Sequence, residues 1–208
     1  MRRFLLTSIA TFAFALTGLC SVTIAVLPYS VTYRGNIPKK MTEEKIEEGR
    51  RLDSENYQTA MIEQLTRMAK KKKYVFLDIN VIGQRQIDAM LFKSGIDTLV
   101  NSLSNAEIAE ILGVTHVLRG SVDQIFIMSD GAAMGVGAIG ILTGNGGSTA
   151  TSSLNIRNAL ENLETNELTY SQQALRTTKV TRPAARALRS TFRQSSRRML
   201  RRIKKGES

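Results

Sequence analysis

SNAEIAEILGVTHVLRGSVDQIFIM, residues 104–128, holds a helix start, a helix stop and a long strand in one stretch. Ser104 followed three residues later by Glu107 is a capping box: the Ser side chain takes the Glu backbone N–H, and the Glu reaches back. The helix it opens runs through Leu112, and Gly113 closes it. VTHVLRGSVDQIFIM, residues 114–128, then reads as a strand. A capped helix handing over to a strand is the unit of an α/β layer fold.

Reading outward toward the carboxyl end, GAAMGVGAIGILTGNGG at 131–147 is a glycine-rich loop. Two extended segments follow, 149–163 and 168–179, joined by the polar turn ETNE around Asn166, and they predict a β-hairpin. The last element is a helix over 183–203. Pro183 sits in its first turn, where the missing N–H is no loss.

Reading outward toward the amino end, residues 84–92 form a short helix stopped by Gly95. YVFLDI, 74–79, predicts a strand. Thr42 is an N-cap followed by Glu43 and Glu44. The helix it opens reaches about Lys72, with an irregularity expected at Gly49 or Asp53. Its apolar positions Tyr57, Met61, Leu65 and Met68 share one face. YSVTYRGNIPKK before it reads as a loop. VTIAVLPY, 22–29, predicts a buried first strand ended by Pro28. The order is β-α-β-α-α-β-β-β-α: an α/β fold with a mixed β-sheet, one half antiparallel, and helices packed on its faces.

The first 21 residues read separately. Arg2 and Arg3 precede a run, Phe4–Leu27, with no charged residue. Ala13-Phe14-Ala15 offers the small-x-small pattern of a cleaved secretory signal. Cys20 is the site for acylation if this is a lipoprotein signal, although bulky Leu19 stands directly before it. A retained anchor is the third alternative, because the run is long enough to span a bilayer. The reading is therefore residues 1–21 as signal peptide or anchor and 22–205 as a single α/β domain. Export makes the periplasm or envelope of a Gram-negative bacterium the expected location. One Cys leaves no internal disulfide.

Charge is concentrated. Residues 1–175 carry 17 basic and 17 acidic side chains, whereas 176–205 carry 12 basic and none acidic. On the last helix, Leu188, Phe192, Met199 and Ile203 form an apolar stripe. Arg182, Arg186, Arg189, Arg193 and Arg197 form a second, basic one. The basic stripe is the candidate contact for an acidic partner or for lipid headgroups. An exported chain rarely meets nucleic acid, and the lack of Trp removes a base-stacking platform.

Nothing in the sequence marks catalysis. Gly135, Gly137 and Gly140 match G-x-G-x-x-G, but ILTGNGGSTATSS after them starts no helix, so no dinucleotide is expected. His116 is the single histidine and has no Cys nearby, so no metal site is expected. Asp78, Asp88 and Asp97 are scattered over three elements. No cofactor and no catalytic residue are assigned.

Several phrases resemble one family. IAVLPYS (24–30), YVFLDINVIGQRQID (74–88), AEIAEILGVTHVLRGSV (106–122) and SLNIRNALENLETNELTYSQQA (153–174) are similar to the curli secretion channel and penicillin-binding-protein activator lipoprotein family. The resemblance covers residues 22–203 as an element order and is specific over 107–122. Asn162, Asn166 and Tyr170 depart from the family's preferred acidic residue, glycine and tryptophan. The chain has no room for two membrane hairpins, so a channel role is not implied. The resemblance implies a soluble envelope-facing domain that works by contact and not by catalysis. The expected function is a non-enzymatic exported accessory or assembly factor, partnered by an envelope protein or a second copy. The alternative is a peripheral membrane-surface protein using the basic helix.

Overall fold

The computed structural model describes residues 22–37, 42–96, 102–127, 150–179 and 184–206. The leader with Cys20, the loop 131–147 with its glycine motif, and Arg182 lie outside them.

One mixed sheet organises the chain. Its strands are β1 (Thr23–Val26), β2 (Ser30–Gly35), β3 (Asn80–Val81), β4 (His116–Phe126), β5 (Ala150–Asn162) and β6 (Glu167–Lys179). The helices are α1 (Glu43–Ala69), α2 (Gln84–Lys93), α3 (Asn105–Leu112) and α4 (Ala184–Gly206). The sheet order is β3-β1-β4-β5-β6, with β2 also pairing β4. β3, β1 and β4 are parallel, and β4, β5 and β6 are antiparallel. The expected mixed sheet with an antiparallel half is present.

Three local expectations change. Residues 30–35, read as loop, form β2, with Ser30 opposite Ser121 and Gly35 opposite Phe126. β1 and β2 lie end to end along β4 as one strand bent at Pro28, which has no N–H for the ladder. Leu27 N–H still reaches the Leu118 carbonyl at 3.0 Å. At the bend the Tyr29 ring fills the space where Gly120 lacks a side chain: a Cβ there would stand 2.2 Å from the ring.

The second change is at YVFLDI. Val75–Leu77 is a 3₁₀ turn, Asp78 takes a left-handed conformation (φ 43°), and pairing starts only at Asn80. Tyr74 and Leu77 point inward, three residues apart, as a 3₁₀ turn requires. A strand would have buried alternate residues instead. The third change is that α1 runs unbroken through Gly49 and Asp53. The space beside Gly49 is taken by the Tyr33 ring, 3.5 Å from where a Cβ would be.

Strand alternation splits the core into two layers. Ile24 and Val26 face α1 and α4, meeting Met61, Leu65, Met68, Phe192 and Met199. Ala25 and Leu27 face α2 and α3, meeting Ile87, Leu91, Ile108 and Leu112. α2 and α3 do not reach the far half of their face. Asn155, Arg157, Gln173 and Leu175 there are half-buried or exposed.

Candidate functional site

α4 carries the strongest chemical asymmetry of the described chain. Its inward face holds Leu188, Phe192, Met199, Leu200 and Ile203, all buried. The predicted apolar stripe is thus the side that packs on the sheet. Burying Phe192 completely also places its ring 5.4 Å from that of Tyr29 and 6.4 Å from that of Tyr57. Such tilted and edge-on pairs add to the burial of apolar area.

Three small polar residues share this inward face. Thr191, Ser195 and Ser196 are buried. Thr191 and Ser196 satisfy themselves on the helix, donating to the Ala187 carbonyl at 3.1 Å and the Phe192 carbonyl at 2.8 Å. Ser195 is wired into the sheet. Tyr29 O–H donates to Asn158 Oδ1 at 2.6 Å, and Asn158 Nδ2 donates to Ser195 Oγ at 3.1 Å. Ser195 in turn donates to Gln172 Oε1 at 2.8 Å, which also accepts from Tyr170. Burial pushes the Tyr29 phenol well above its usual range, so it stays a neutral donor. Beside this chain, Arg176 of β6 donates to Thr191 Oγ1 at 3.0 Å and to Gln194 Oε1 at 3.3 Å. An apolar interface alone tolerates rotation of a helix about its axis. A buried polar chain does not, because each rotation leaves donors unpaired. The seam fixes which side of α4 faces out.

That outer side is basic. Arg189, Arg193, Arg197, Arg198, Arg201 and Arg202 are exposed. Arg50 pairs with Glu47, Arg51 with Glu55, Arg119 with Glu161 and Arg157 with Asp123, and none of these pairs uses an arginine of α4. Arg189, Arg193 and Arg197, singled out from the sequence, come together along a groove between α4 and α1 that is also lined by Gln64 and Arg67. The groove continues to Lys70, and Glu63 is the carboxylate on its wall. A second groove on the other flank of α4 is lined by Ser171 of β6 with Arg198, Arg201, Arg202 and Lys205. Guanidinium groups bind carboxylate or phosphate in two-pronged fashion, and here they outnumber the nearby acids, Glu63 beside Arg189 and Glu164 and Glu167 beside Arg202. The side chain of Arg186 is not among those described.

Sequence reasoning missed Arg67, which joins the site only through the packing of α1 on α4. It also missed the second flank, whose signal was the doublets Arg197-Arg198 and Arg201-Arg202.

His116 stands apart from these grooves. It is buried at the start of β4, with Nδ1 3.0 Å from Thr115 Oγ1. Burial pulls its imidazole below the usual range, and Glu164 works in the opposite direction. Among the described residues no three His, Cys, Asp or Glu side chains gather as a metal site would require. Among them, too, no helix is long and apolar enough to cross a membrane.

No protein-family model and no curated protein matches the chain. Solved structures it is similar to include the lipoprotein GNA1162 from Neisseria meningitidis, at 12% identity over 86% of this chain and 97% of that one, TM-score 0.43. The PelC dodecamer from Paraburkholderia phytofirmans is similar at 11% identity over 84% of each chain, TM-score 0.41. The LpoB C-terminal domain from Salmonella enterica is similar at 11% identity over 81% of this chain and 91% of that one, TM-score 0.36. Likeness at this level carries no residue's role across.

Proposed function

We propose that this chain is a non-enzymatic, exported envelope accessory or assembly factor, and that it works by holding an acidic protein surface against α4. The observation that carries the reading is the exposed arginine face, held in one orientation by the buried seam. Placing six exposed guanidinium groups on one helix that has no acidic residue of its own raises the self-repulsion of the fold. A partner bearing carboxylates relieves that repulsion on binding and is steered to the site. The groove between α4 and α1 adds Gln64 and Gln194 to the charge, and the one on the other flank adds Ser171. The apolar face of α4 is spent on the core, so the helix has none left to lay into a bilayer. This favours a protein partner over membrane insertion of α4. The leader supports export.

A labelled polyglutamate peptide serves as the first probe, read by fluorescence anisotropy. Binding is expected at low salt, weakening as salt rises. The triple change Arg189→Gln, Arg193→Gln, Arg197→Gln should weaken it about tenfold or more. Equal binding by the triple variant would remove the α1–α4 groove from the reading. Crosslinking from position 193 in native envelopes then identifies the protein partner.

A further inference from the structure

The 3₁₀ turn that replaces the expected strand at 74–79 turns two apolar side chains outward. Val75 is 63% exposed and Phe76 60%. This exposure belongs to a packed turn. Tyr74 and Leu77 on either side are buried. Tyr74 and Val75 N–H bond the Lys71 carbonyl at 2.8 and 3.1 Å, and Leu77 N–H bonds the Tyr74 carbonyl at 3.0 Å. Tyr74 O–H donates to the Arg197 carbonyl at 3.3 Å, tying the turn to α4. Several backbone donors of the tip are therefore already satisfied, which lowers the cost of moving it out of water.

Lysines surround the pair. Lys70, Lys72 and Lys73 are exposed in the same turn. Lys73 Nζ stands 4.7 Å from the Tyr74 ring centroid, and Lys204 Nζ from α4 stands 4.8 Å from that of Phe76. Asp78 is the one carboxylate in residues 70–79. Single exposed apolar residues are ordinary; an adjacent pair ringed by ammonium groups is not. A bilayer interface offers what both parts of this tip need, an apolar layer just beneath dense negative charge. Lysine stems lie along the apolar layer while their heads stay with the phosphates.

We propose that the Lys70–Asp78 turn, with the last turns of α4, docks the domain onto an anionic lipid surface, Val75 and Phe76 entering the headgroup layer. This surface meets the Arg189–Arg193–Arg197 groove at Lys70, but the two tests vary different residues, so either assignment stands if the other falls.

The chain has no Trp, so Phe76→Trp installs a single local reporter in the full chain. Phe92→Trp is the control, because Phe92 is 78% exposed on α2, across the sheet. Phosphatidylglycerol vesicles should shift the emission at position 76 to the blue, and brominated lipid should quench it. Emission at position 92 should stay unchanged. Val75→Trp should report the same insertion if the first variant folds poorly. Adding Lys72→Gln, Lys73→Gln and Lys204→Gln should weaken the partition that this emission reports by about tenfold or more. Vesicles that bind the chain through its apolar leader would leave the emission at 75 and 76 unmoved, and that result overturns the proposal. Equal shifts at 76 and 92, or lysine variants that partition like the parent, overturn it too.

Discussion

α1 and α4 cover the same face of the sheet and meet the same apolar layer, yet they treat charge in opposite ways. α1 carries seven acidic and four basic residues and pairs some of them along its own surface, Arg50 with Glu47 and Arg51 with Glu55. α4 carries nine basic residues and no acidic one. α1 thus mixes both signs and offsets part of its charge within itself. α4 carries one sign alone, and that excess is what the proposed acidic partner would offset. The difference separates a helix of mixed charge, which lends Gln64 and Arg67 to the groove, from one whose outer charges are all basic.

The largest test asks whether α4 belongs to the core as fully as α1 does. Phe192→Ala and Met61→Ala should each lower unfolding free energy by about 2–5 kcal/mol, Phe192 toward the upper end. Chemical denaturation measures both. A Phe192→Ala protein that unfolds like the parent would show α4 to be a loose attachment, and the comparison would collapse.

Next comes the seam, which α1 lacks in this form. Asn158→Ala strands the Tyr29 hydroxyl and removes a donor to Ser195, and should cost about 1–3 kcal/mol. Hydrogen exchange should show α4 amides losing protection before those of α1. Uniform loss along both helices would mean that the seam adds stability without fixing orientation.

The outer faces should separate function from stability. Arg193→Gln with Arg197→Gln should change unfolding free energy by no more than about 0.5 kcal/mol, as expected for exposed charges. Arg51→Gln on α1 should cost a similarly small amount, about 0.3–0.5 kcal/mol. Only the α4 pair should lower affinity for the acidic peptide. A substantial stability loss from the α4 pair would place those guanidinium groups in the core instead.

The smallest effect lies under the end of α4, where His116 shares a depression with Arg202 and Lys205. The fold holds the imidazole neutral by burial, so its folded pKa lies below the unfolded one. The unfolded chain therefore takes up the proton first as pH falls. Stability should be flat above the ordinary His range and decline between about pH 7 and 5, by at most one proton per molecule. His116→Gln should remove that slope. An unchanged slope would assign it to other groups.

Much of this architecture is legible from local chemistry. The capping box at Ser104 and Glu107 forms with both bonds present, and Gly113 closes α3 at φ 57°. The hairpin 150–179 follows from two long extended runs around Asn166. What escaped depends on partners distant in sequence. β2 reads as loop because SVTYRG shows no alternation, and only β4, some ninety residues on, makes it a strand. YVFLDI has strand composition, but a short apolar run does not declare its period. Its burial at Tyr74 and Leu77 is set by α4 and the sheet. On the candidate site, the basic stripe of α4 could be read from spacing, whereas Arg67 beside it could not, because nothing in α1 announces which helix it will face.

The Tyr29 ring over Gly120 carries a consequence for the order of assembly. Tyr29 comes from the start of the domain, Gly120 and Asn158 from its middle, and Ser195 from its end. The seat of α4 does not exist until the first strand has bent and the central hairpin has closed. Contacts of such long sequence separation form slowly, after local structure. A chain made from its amino end delivers α4 last. The arginine face is thereby displayed in its final orientation only by a domain that has finished folding, and a chain stalled earlier has no ordered face to offer.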